Sequence, residues 1–68
     1  MDRIPVASKS LNSVGYESFS ETLELAFTDG EICQYEGVPE YIYINLMNAK
    51  SKSDFFHTKI RERYPIHI

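Results

Sequence analysis

The sequence predicts a small α+β domain: an antiparallel sheet of three to four strands packed against two C-terminal helices. Three observations lead there. Leu23, Leu25 and Phe27 recur at every second position in "ETLELAFTDGE", the period of a half-buried strand. Asp29-Gly30 follows at once, and the apolar run "EICQYEG" returns after it, which is the pattern of a hairpin. Beyond Pro39 the apolar spacing lengthens to three and four in "EYIYINLMNAK" and "SKSDFFHTKIRER", as amphipathic helices require. A chain of 68 residues is a single domain, residues 1–68, near the lower size limit for folding without a metal or disulfide.

The elements follow in order. "RIPVAS" fits an edge strand, where Pro5 is tolerated. "SVGYES" is a strand with Val14 and Tyr16 on one face and Gly15 between them. Asp29-Gly30 supplies the positive φ angles of a tight turn. In the returning strand Cys33 and Tyr35 share one face, and Ile32, Gln34 and Glu36 share the other. With the first face inward, Tyr35 belongs to the core, and its hydroxyl needs a partner at the edge of the sheet.

Gly37 releases the chain from the strand. Pro39 suits the first helical position, with Glu40 at the positive helix start. Ile42, Leu46 and Ala49 form a stripe with Tyr43 and Met47 beside it, while Tyr41 and Ile44 fall elsewhere around the cylinder. That helix is either wedged against a sheet or covered by a partner. Ser51, three residues before Asp54, approximates a capping box. Phe56 and Ile60 then share a face, with Lys52 and Arg63 nearby if the helix runs that far. Tyr64-Pro65 ends it, and "YPIHI" is an extended tail or a last strand.

Composition narrows the function classes. A lone cysteine, Cys33, excludes an internal disulfide and a cysteine-rich zinc site; it reads as a packed thiol. The expectation is no metal and no cofactor. "MDRIPVASKS" has no apolar signal core, and no run approaches membrane-spanning length, so a cytoplasmic location and no membrane partner are expected. His57 and His67 have no Ser, Cys or Asp at an informative spacing, and Gly15, Gly30 and Gly37 are isolated rather than a phosphate loop. Catalysis is not expected.

Charge is uneven. Residues 1–48 hold eight acidic and two basic side chains, and residues 49–68 hold two acidic and five basic. Such asymmetry can mark a surface for an anionic partner.

Taken together, "QYEGVP" and "FFHTKIRERYP" resemble the KTSC domain, a small family named for its place at the C-terminus of some lysyl-tRNA synthetases and found also as stand-alone bacterial and phage proteins. The likeness covers nearly the whole chain, starting from "RIPVASKSLNSVGY". The family carries a Tyr-x-Tyr ahead of its Val-Pro step; here Tyr35 matches the second tyrosine, and Cys33 stands at the first. The resemblance implies the fold and singles out Tyr35, Gly37, Val38, Pro39, Tyr41 and Tyr43 as family-motif positions.

The expected function is a non-catalytic binding module that docks onto a protein partner or onto itself. The alternative is RNA, held by cations on phosphates beside aromatic faces that stack bases. Its residues would be Lys52, Lys59, Arg61, Arg63 and Tyr64, with Tyr35 and Tyr43 as further platforms. Arginines suit this best, because a guanidinium grips a phosphate through two hydrogen bonds. Against it stand Glu17, Glu21, Glu24, Glu31 and Glu36 on the sheet side.

Overall fold

The computed structural model describes residues 2–67. Its elements are β1 (Ile4–Pro5), β2 (Leu11–Glu17), β3 (Thr22–Phe27), β4 (Ile32–Tyr35), α1 (Glu40–Asn48), α2 (Lys52–Lys59) and β5 (Ile66–His67). The α+β expectation holds. All neighbouring strands pair antiparallel in the order β1-β2-β3-β4-β5. The sheet reaches five strands because each edge gains a two-residue strand, at "RIPVAS" and "YPIHI". Pro5 sits on an outer edge, where a missing N–H costs no ladder bond.

The period-two facing of β3 is as expected, but the strand is not half-buried, because Glu24 and Ala26 on its other face are buried too. Leu23 and Leu25 are fully buried, and Phe27 packs beside them. On this face they meet Leu11, Val14, Tyr35, Val38, Leu46, Phe56 and Ile60. Each fully buried Leu, Ile or Phe contributes roughly 1.5–3 kcal/mol. Phe56 from α2 is the central contact: its ring meets Phe27 edge-on at 5.4 Å and Tyr35 at 5.6 Å. A bulge between Leu11 and Ser13 explains how Leu11 and Val14 both face inward although three residues apart.

The β3–β4 turn needs one positive φ, not two. Gly30 takes φ +94°, while Asp29 does not enter that region. Asp29 instead accepts the Glu31 N–H on its carboxylate at 2.9 Å, a local bond to which aspartate is suited. Gly37, at φ +71°, turns the chain out of β4 as expected. Pro39 lies one residue earlier than anticipated, as the N-cap of α1 rather than its first turn.

α2 begins as its sequence implies, with the Ser51 hydroxyl accepting the Asp54 N–H. It stops at Lys59, and the chain turns through Arg63 before Tyr64-Pro65. Arg63 is therefore outside the helix. Ser53, buried inside the first turn of α2, bonds Ser8 and Ser10 at 2.8–3.2 Å, tying the β1–β2 connection to that helix.

The second face of the sheet carries no helix but is not merely acidic. Glu24 is 8% exposed, and its carboxylate accepts Arg3 at 2.7 Å and Gln34 at 2.8 Å. The amide of Gln34, then the guanidinium of Arg3, hold Glu24 below the usual carboxylate range despite its burial. Arg3 also reaches Ser13. Glu24 is thus a tied structural charge, not a free repulsive one.

Candidate binding surfaces

The anticipated cationic residues run from the start of α2 into the turn beyond it. Lys52 opens α2 and donates to the Ala49 carbonyl at 3.3 Å, so it closes the α1–α2 connection. Lys59 ends α2 about 10 Å further along, at 1.5 Å per residue, and is exposed. Arg63 is exposed in the following turn. Tyr64 is half-buried against the core. Arg61 lines a pocket.

The family-motif positions divide between packing and surface. Val38 is fully buried. Its N–H donates to the Glu21 carbonyl at 2.9 Å, and its carbonyl accepts the Tyr16 hydroxyl at 2.6 Å. Tyr43 is half-buried and stacks on Tyr16, centroids 5.0 Å apart and planes 9° from parallel. Both bonds to Val38 lock the β2–β3 turn to the start of α1. Glu21 holds φ +54° there, a region costly for a side chain of its kind.

The end so formed is aromatic and acidic. Phe19, at the turn tip, is 97% exposed, and Tyr41, in the first turn of α1, is 62% exposed. Burial, then the charges of Glu21, Glu40 and Glu17, push the Tyr16 hydroxyl above its ordinary pKa. Those three carboxylates therefore act on the same hydroxyl. Phe19 had a signal in the sequence: an aromatic between two serines in "SFS", outside the apolar period of either flanking strand.

A second feature is a pocket of about 260 Å³ between β4, the β3–β4 turn and the end of α2. Phe27, Tyr35 and Phe56 from the core line it, with Cys33 and Ile66. Asp29 and Glu31 enter from the turn, and His57 and Arg61 from the helix side. Arg61 Nη1 lies 3.4 Å from His57 Nδ1. Arg61 has no carboxylate partner among the described residues.

Tyr35 is 6% exposed, as its inward face predicts. The sheet-edge partner expected for its hydroxyl does not exist among the described residues. No sealed side-chain polar atom among the described residues lacks a partner, so this hydroxyl is not sealed, and Tyr35 lines the pocket. Burial raises its pKa, and the nearby Arg61 charge works the other way.

Cys33 and His57 share the pocket wall, a proximity that spacing along the chain did not reveal. The Cys33 thiol, however, donates to the Glu31 carboxylate at 3.7 Å. Burial, then that carboxylate, push its pKa up, the opposite of what an attacking thiol needs. The side chain of His67 lies outside the described residues. None of the described helices is long and apolar enough to cross a membrane.

Comparison with known proteins agrees with this architecture. The family model for the KTSC domain matches residues 7–64. The crystal structure of KTSC domain protein YPO2434 from Yersinia pestis superposes with a TM-score of 0.94 at 36% identity, covering 97% of this chain and 93% of that one. An uncharacterised protein of Stutzerimonas stutzeri (strain A1501) is 31% identical over 64 residues, 94% of this chain and 90% of its own. A lysine–tRNA ligase of Trichormus variabilis is 37% identical over 49 residues, which is 72% of this chain but 9% of that protein. The chain belongs to the KTSC domain family.

Proposed function

We propose that this domain is a non-catalytic docking module, and that it binds a basic, apolar-containing segment of a protein partner at the Phe19–Tyr41 end. One observation carries the reading: Phe19 and Tyr41 stand out into solvent beside Glu17, Glu21 and Glu40. Exposed aromatics next to a single sign of charge suit the centre and rim of an interface. The relatives support it too, because a similar segment occurs both in a protein of comparable length and as a small part of a much larger ligase.

Two other occupants fit less well. In a two-fold dimer through this end, each copy would meet its own three carboxylates, and like charges oppose that pairing. For RNA, a continuous cationic track is needed. Lys52 is tied to a carbonyl, Arg3 to Glu24, and Arg61 sits near Asp29 and Glu31.

The test is an NMR titration of the labelled domain with a synthetic peptide rich in Lys and Arg and carrying two leucines. Single-stranded RNA and a sedimentation series run beside it. Shifts should centre on residues 17–21 and 40–44, and vanish in Phe19→Ser plus Tyr41→Ser. RNA binding that weakens steeply with salt and drops in Arg61→Ala plus Arg63→Ala would replace this reading with nucleic-acid recognition. A concentration-dependent dimer would replace it with self-association.

A further inference from the structure

We propose that the pocket between β4 and α2 is a binding site for a small zwitterion of the α-amino-acid class with an apolar side chain. The ligand carboxylate meets Arg61 and the Tyr35 hydroxyl. Its ammonium group faces Asp29 and Glu31, and its side chain rests on Phe27 and Phe56. This goes beyond the docking reading and shares no residue with it.

The buried tyrosine is the first reason. A ring 94% out of solvent, with 6% left exposed, holds its hydroxyl where no protein group among the described residues bonds it. That hydroxyl is not sealed, so it can bond a molecule that enters the pocket Tyr35 lines. Tyr16 supplies the contrast, because its hydroxyl is satisfied by the Val38 carbonyl at 2.6 Å.

Charge selects the ligand. Arg61, unpaired with any carboxylate among the described residues, presents donors in a fork that matches a carboxylate. Asp29 and Glu31 also line the pocket. Asp29 accepts the Glu31 N–H and Glu31 accepts the Cys33 thiol, and a carboxylate has capacity for more. A bare phosphate would meet two negative charges, and a simple amine would meet the guanidinium. An uncharged apolar molecule would strip water from Arg61 without replacing it. A ligand with both signs satisfies all of them.

Size and surface agree. The volume of about 260 Å³ lies below the ~300–1,000 Å³ usual for drug-sized ligands, which points to a molecule of amino-acid dimensions. The aromatic walls offer an apolar side chain the kind of contact that small sites rely on.

The experiment is amide and aromatic NMR on the whole labelled chain, with L-leucine or L-phenylalanine added up to about 10 mM, enough to detect a millimolar site. L-leucinamide, which lacks the carboxylate, N-acetyl-L-leucine, which lacks the ammonium, and inorganic phosphate are the comparison probes. The expected result is saturable shifts at Cys33, Tyr35, His57 and Arg61 with the free amino acids, and weak or no shifts with the three probes. Arg61→Gln should weaken binding by about tenfold or more and Tyr35→Phe by about three- to tenfold. Both variants should keep a dispersed, folded spectrum, since one changes an exposed side chain and the other removes a single atom.

The proposal is overturned if neither amino acid produces saturable shifts. It is also overturned if leucinamide or N-acetylleucine binds as well as leucine, if phosphate alone reproduces the shifts, or if Arg61→Gln leaves the affinity unchanged. The docking reading survives any of these results, because its shifts fall elsewhere.

Discussion

Replacing Glu24 with Gln keeps the shape of the side chain and removes its charge, so it isolates what the Arg3–Glu24–Gln34 cluster contributes. In Glu24→Gln the remaining carbonyl oxygen can still accept from Gln34, but an N–H₂ then faces Arg3 Nη1, donor against donor. The wild-type contact is 2.7 Å, with 11% of the Glu24 side chain and 32% of the Arg3 side chain accessible. Such a pair lies between an exposed ion pair, about 0.2–1 kcal/mol, and a buried one, where removing a partner costs about 3–5 kcal/mol. Arg3 can regain water, so a loss of about 1–2 kcal/mol is expected. A domain of 68 residues has roughly 3–10 kcal/mol in total, and its Tm should fall by about 4–16 °C. Urea and thermal unfolding at pH 7 measure this directly.

The pH dependence gives the sharper check. The folded-state pKa of Glu24 is lowered from 4.5, so the folded protein binds fewer protons at this site than the unfolded chain does. Its stabilisation is complete above 4.5, and declines as pH falls below that value and through the lowered one. The gap between wild type and Glu24→Gln should therefore close in acid. A gap that stays constant from pH 7 to about pH 2 would refute the electrostatic account, as would a pH 7 difference under about 0.3 kcal/mol, within the scatter of independent sites.

Gly37→Ala should destabilise the fold by about 1–2 kcal/mol in urea titration, because φ +71° opposes any Cβ even though no atom lies within 4 Å of one there. Gly37→Asn should cost less, since Asn adopts that conformation more readily. Cys33 should be alkylated by iodoacetamide at pH 8 at least about threefold more slowly than a free thiol, because its raised pKa leaves less thiolate. Glu31→Gln should speed the reaction by removing the adjacent negative charge.

What the sequence revealed depended on range. The hairpin was legible because Leu23, Leu25 and Phe27 repeat locally and Gly30 marks the turn. The inward face of Cys33 and Tyr35 followed from the pleat alone. The two-residue edge strands are too short to carry a period, so the five-stranded sheet emerged only when Ile4 and Ile66 found their neighbours. Leu11 escaped notice because the bulge beside it breaks the alternation. Arg3 and Glu24 are 21 residues apart and Ser8 and Ser53 are 45 apart; no local pattern relates them. The placement of the cationic third was illegible for a similar reason. A run of basic residues says nothing of which face of a turn each one takes, and here α2 ends at Lys59 and sends Lys52 and Arg61 to different places.

Tyr16 and Tyr35 show why an aromatic in a very small core should not be assigned to packing or to binding as alternatives. They flank Leu23 in one cross-strand row, since Tyr16 pairs with Leu23 and Leu23 with Tyr35. Both rings contact the same core. The hydroxyl of Tyr16 ends on the Val38 carbonyl and ties β2 to the segment that leads into α1. The hydroxyl of Tyr35 passes the core and ends at the pocket beside Arg61. A tyrosine contributes its ring to burial and its oxygen to whatever lies at the end of the ring. In a chain this short, burial cannot be spared, so a binding group is best placed on a side chain that the core already holds rigid.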